Sequence, residues 1–180
     1  RAGQVDSALN LDESLGNWDK VERLAQQTAS WARQAHALSM KGLRTQAGEA
    51  YERAAEQARG LQSTPADIAQ LFEEAAKCYA EEENWLKHDQ CWQQVCQLRQ
   101  WPYLRGQVHI AAAFFEGEYN LVEVLLQNHG AGLARKIQVK DISRKFELDL
   151  TESQEPASLS PERERRLTLS MRPQPDVLGR

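Results

Sequence analysis

The sequence predicts a mainly α protein: an antiparallel helical-hairpin array followed by a short C-terminal β segment. Three observations carry this. Between Asn10 and Ile137 apolar residues return at three- and four-residue steps, the period of amphipathic helices. The same stretch is rich in Ala, Gln, Glu, Leu and Arg, with few Gly or Pro to interrupt it. Beyond Lys145 the period shortens to two, as in strands. The expected division is a helical domain over 10–140 and, over 141–180, a β-hairpin or the truncated start of a β-domain with a polar loop.

Asn10 or Asp12 caps a short first helix that Gly16 cuts off. Asn17 to Met40 holds neither Gly nor Pro, and Trp18, Val21, Leu24, Ala25, Trp31, Ala35 and Leu38 mark one helical face, as a single long helix or as a hairpin. After Gly42 a second face carries Ala47, Tyr51, Ala54, Ala55 and Ala58, and Gly60 ends it. Ser63-Thr64-Pro65 followed by Asp67 is a helix start: hydroxyl cap, Pro in the first turn, acid near the positive end. Ile68, Leu71, Phe72, Ala75, Ala76 and Tyr79 are its apolar stripe. Asn84 caps the next helix, with Trp85, His88, Trp92, Val95 and Leu98. Trp101-Pro102 opens another through Val108, Ala111, Ala112 and Phe115, and Gly117 separates it from one holding Tyr119, Val122, Leu125 and Leu126. A last helical piece covers 131–137. Strands are expected at Lys145–Leu150 and Arg166–Met171, with Gln154–Pro161 as the loop between them.

The helices are self-similar. The turns Gly16-Asn17-Trp18, Gly42-Leu43-Arg44, Glu83-Asn84-Trp85 and Gly117-Glu118-Tyr119 align, at intervals of 26, 41 and 34 residues. Trp31, Ala35, Leu38 and again Phe72, Ala76, Tyr79 set a large residue, a small one four later and a large one three beyond; Ala47, Tyr51, Ala54 alternate small and aromatic. His88, Trp92, Val95 and Val122, Leu126, His129 follow more loosely. On these residues the chain resembles tetratricopeptide-type (TPR-like) repeats, or a looser α-solenoid, over about 120 residues. The pattern departs from that family in its 26-residue interval and in lacking most of the Pro that closes a repeat. The resemblance implies a scaffold or adaptor that binds a peptide or protein partner on a concave face built from first-helix residues: His36, Ser39 and Met40, then Gln70, Glu73 and Lys77, then Gln107. It also admits a second role, as the sensor or regulatory repeat region of a larger multidomain signalling NTPase or effector. The first residue is Arg1 and the last four are Val177-Leu178-Gly179-Arg180, so the chain reads as a segment of something longer or as a processed one.

Composition narrows the classes. The 180 residues are 41% hydrophobic and 27% charged, with net charge −4, an ordered-protein balance that argues against a nucleic-acid binder. No apolar run approaches the roughly 20 residues that span a bilayer, and the first residues lack a signal-peptide core. Three cysteines within residues 78–96 make a poor disulfide framework and suit the cytoplasm. His88 and Cys91 are placed to offer nitrogen and sulfur to zinc, but no short C-x-x-C turn accompanies them, so core packing is the expected role of Cys78, Cys91 and Cys96. No G-x-S-x-G elbow, phosphate loop or H-E-x-x-H is present, so no catalytic residue, metal or cofactor is expected. Of the five tryptophans, Trp18, Trp31, Trp85 and Trp92 fall at packing positions, while Trp101 stands at a helix entrance.

Overall fold

The computed structural model describes residues 2–110, 118–137, 146–149 and 157–173. The chain divides into two compact units, residues 1–99 and 100–180. The first is all helix: α1 (Ala2–Ser14), α2 (Trp18–Gln27), α3 (Trp31–Met40), α4 (Arg44–Gly60), α5 (Pro65–Glu81) and α6 (Trp85–Leu98). In the second, every described element is a strand: β1 (Leu104–Ile110), β2 (Asn120–Asn128), β3 (Ala134–Ile137), β4 (Phe146–Asp149), β5 (Ala157–Leu159) and β6 (Glu164–Pro173). The protein is thus mainly helical with a small antiparallel sheet.

Each helix packs on the next in the chain. One device ends them all. Gly16, Ala29, Gly42, Gln62, Glu83 and Gln100 take left-handed φ values of 70°, 52°, 77°, 57°, 55° and 57°. The following N–H then reaches back five residues, as in Asn17 to the Asp12 carbonyl (2.9 Å), Ser30 to Ala25 (2.8 Å) and Leu43 to Leu38 (3.0 Å). Residues 17–40 are therefore two ten-residue helices split at Thr28-Ala29-Ser30. α1 is also longer than expected, passing through Asn10 and Asp12. The Thr64 side chain accepts from the Asp67 N–H, and that of Asn84 from the Lys87 N–H, as their cap positions predict.

Ala29 holds a conformation that costs an L-residue about 1 kcal/mol. Ala29→Gly is therefore expected to raise helical-unit stability by about 0.5–1 kcal/mol, the relief exceeding the extra unfolded-state entropy of Gly. Urea unfolding checks this; an equal or lower midpoint would show that the turn is not strained.

Two cores fill the helical unit. Leu9, Val21, Ala25 and Ala37 form one across α1–α3, with Val5, Trp18 and Leu24 around them. The other joins Ala35 and Leu38 of α3, Ala47, Ala50, Tyr51 and Ala55 of α4, Phe72, Ala76 and Tyr79 of α5, and Cys91 and Val95 of α6. The many alanines let helices approach closely. The nearest approach is at Gly48, where an added Cβ would lie 2.8 Å from Cζ of the Tyr79 ring.

The larger sheet has the order β1-β2-β6-β4, antiparallel throughout, and β3 pairs with β5. Val108, Val124 and Leu167 lie in register, as do Ile110, Val122 and Leu169, and Val122 and Leu169 are buried. Where helices are expected from Pro102, from Tyr119 and over 131–137, the described residues form no helix and carry β1, β2 and β3 instead, and from Gln100 onward the chain falls in the second unit rather than with the helices. Ala111, Ala112 and Phe115 lie outside the described residues. In β2, Leu121, Val122, Val124, Leu125 and Leu126 satisfy both periods, because Leu121 and Leu125 put apolar residues on the face opposite Val122, Val124 and Leu126. The β-branched valines decide for strand. β4 and β6 fall where strands are expected, and β5 occupies part of the expected loop.

Asn128 at the end of β2 is 1% exposed and fully bonded. Its Oδ1 accepts from the N–H groups of Tyr103 and Gly130 (3.1 Å each). Its Nδ2 donates to the carbonyls of Gly132 (2.8 Å) and Leu159 (3.0 Å). Gly130 and Gly132 lie directly on the backbone of residues 100–103, leaving no room for a Cβ at either position.

Candidate partner-binding groove

On α4, Glu49, Glu52, Arg53, Glu56 and Arg59 share one flank, since three- and four-residue steps bring side chains together on a helix. With Trp31 of α3, Phe72 of α5 and Lys87 of α6, the first four line an open groove of about 610 Å³. A second hollow of about 250 Å³ shares Glu52, Glu56 and Phe72 with it and adds Arg59, Gln90, Cys91 and Gln94. Together they follow α4 from Glu49 to Arg59, about 15 Å at helical rise.

The groove's cations rest on aromatic faces. The Arg53 guanidinium lies 5.1 Å from the Trp31 ring centroid, Arg59 5.7 Å from Phe72, and the Lys87 ammonium 5.8 Å from Tyr79. Glu52 ties three helices together: it accepts from the Tyr79 hydroxyl (2.5 Å) and pairs with Lys87 (3.4 Å). Arg59 pairs with Glu56 at 3.1 Å. The lining thus mixes aromatic and polar groups, is balanced in charge and is held in place from within.

Burial, reinforced by the Glu52 charge, pushes the Cys91 thiol up from 9.0 to about 12. Burial also raises Cys78 and Cys96, so the three thiols stay protonated at neutral pH and lack thiolate reactivity. Tyr51 rises from 10.0 to about 12, first through burial and then through Glu74. These shifts set an alkaline limit. Below pH 9 Cys91 is protonated folded or unfolded; above it only the unfolded chain loses the proton, so stability falls between pH 9 and about 12, with Tyr51 joining from pH 10. Urea midpoints across that range should fall for wild type and less steeply for Cys91→Ala; parallel slopes would sink the assignment to Cys91.

None of the seven residues expected on a concave face lines this groove. His36 is exposed, edge-on to Trp18 at 5.4 Å. The Ser39 hydroxyl accepts from Arg44 (2.5 Å), and Met40 is exposed. Gln70 and Lys77 meet through Glu74, at 3.0 and 2.7 Å, while Glu73 pairs with Arg99 at 2.8 Å. Gln107 is on strand β1, not on a first helix. Trp85 is 60% exposed rather than packed, because it opens α6 directly after the Asn84 cap; His88 lies edge-on to it and stacks on Trp92. Trp31 and Phe72 are visible in the sequence as packing residues, but their part in the groove is not. The charge stripe of α4, opposite its alanines, is the signal that marks it.

No family model, curated protein or solved structure matches the chain. Among the described residues, no helix is long and apolar enough to cross a membrane.

Proposed function

We propose that this chain is a non-enzymatic, TPR-like helical-repeat scaffold of the cytoplasm that holds a peptide or protein partner in the groove along α4. The groove carries this reading. It is open and long enough for four or five extended residues at about 3.3 Å each. It also presents aromatic surface beside fixed charges, the mixture that interface centres favour. Helical hairpins joined by short turns, with large residues packed on small ones, are the arrangement on which repeat proteins build such surfaces.

The test compares capture by wild type, by Trp31→Ala with Glu49→Arg, and by Glu73→Lys with Lys77→Glu on α5. Partners of the groove should be lost about 30-fold with the first variant, the scale of a hot-spot aromatic, and retained with the second. The opposite outcome would move binding to the α5 surface.

A further inference from the structure

We propose that β1 is a self-association strand, whose outer edge pairs antiparallel with β1 of a second copy of this chain about a dyad at Gln107. Among the described strands β1 ends the sheet order, so one edge meets β2 and no described strand pairs with the other. The ladder fixes which groups face outward. The Asn128 N–H donates to the Arg163 carbonyl (3.0 Å), and the Glu162 N–H donates to the Asn128 carbonyl (2.9 Å). Even-numbered residues of β2 therefore turn their backbone groups toward β6, and odd-numbered ones toward β1. Their partners in β1 are Arg105, Gln107 and His109, opposite Gln127, Leu125 and Glu123. The His129 N–H donating to the Tyr103 carbonyl (2.8 Å) continues the same alternation. The outward N–H and carbonyl groups are thus those of Leu104, Gly106, Val108 and Ile110. Among the described residues no strand pairs with them.

Natural edges are blunted by Lys, Pro, bulges or a covering element. β1 holds neither Lys nor Pro, its register with β2 is unbroken, and its one fixed charge is Arg105. Its apolar residues are open, Val108 at 62% and Leu104 at 38% exposure. A second copy is the occupant its pattern fits. About Gln107, Gly106 meets Val108 of the second copy, Leu104 meets Ile110, and Arg105 meets His109. Even residues face even ones, so each outward backbone group meets an outward group. Gly106 leaves room beside the exposed Val108. The two Arg105 guanidiniums fall at opposite ends, each facing an imidazole and not each other.

One strand pair is a small interface, so the expected dimer is weak, with a dissociation constant on the order of 100 µM. Sedimentation of the full chain over a dilution series tests it. Val108→Pro removes only an outward N–H and leaves the β1–β2 ladder intact; Val108→Lys adds a charge at an exposed site. Wild type should approach twice the monomer mass as concentration rises, while both variants stay monomeric with unchanged circular dichroism. Should the Pro variant disturb folding, the Lys variant decides. A wild type that stays monomeric throughout, or a Lys variant that dimerises like wild type, overturns the proposal.

Discussion

Asn128→Ala is expected to destabilise the strand unit by about 3–4 kcal/mol, among the largest effects of any single change in this protein. Its amide is the partner of two backbone N–H groups and two carbonyls, from the entry to β1, the 130–132 loop and β5. Removing it leaves these groups without that partner at a site that is 1% exposed. Each unsatisfied group costs about 1–3 kcal/mol where water cannot reach, and partial relaxation lowers the sum. Asn128→Asp keeps the acceptor but sets a carboxylate oxygen against the Gly132 and Leu159 carbonyls, so it should fare little better. Hydrogen exchange read by segment is the measurement. Amides of β1, β2 and the 129–132 loop should lose protection while those of α4 and α5 keep theirs. A loss under about 1 kcal/mol would mean that water takes the place of the amide.

The helical unit was legible because its signals are local. Thr64-Pro65 and Asn84 mark helix starts by their own chemistry, and Gly16 and Gly42 mark ends. Where another residue adopts the left-handed turn, as at Ala29, the stop is invisible, and one long helix fits the sequence as well as a hairpin does. β2, unlike β4 and β6, reads as helix for a different reason. Val122, Val124 and Leu126 alternate, but Leu121 and Leu125 lie on the opposite face, and apolar residues on both faces erase the contrast on which period reading depends. The groove was hidden in another way. Trp31 and Phe72 occupy ordinary packing positions, and only the fold of α3–α6 brings them beside Glu49, Glu52 and Lys87. Asn128 gave no signal, since its four partners span residues 103 to 159 in sequence.

The contact between Gly48 and Tyr79 predicts a reversal of sign. In isolation, Gly48→Ala should stabilise α4 by about 1 kcal/mol, because Gly is a poor helix former. Here the new methyl would stand 2.8 Å from Cζ and 2.9 Å from Cε1 of Tyr79. That ring cannot swing aside easily: it is 1% exposed and its hydroxyl is held by Glu52 at 2.5 Å. Overpacking should outweigh propensity, making Gly48→Ala destabilising by about 1–3 kcal/mol. Tyr79→Ala should cost about 3–5 kcal/mol through the cavity and the freed Glu52 partner. With Tyr79 already Ala the obstacle is gone, so adding Gly48→Ala should then help by about 0.5–1 kcal/mol. Urea unfolding of the four proteins in the cycle measures this directly. If Gly48→Ala carries the same cost in both backgrounds, the α4–α5 contact is looser than its geometry implies, and the glycine is there for some reason other than the ring.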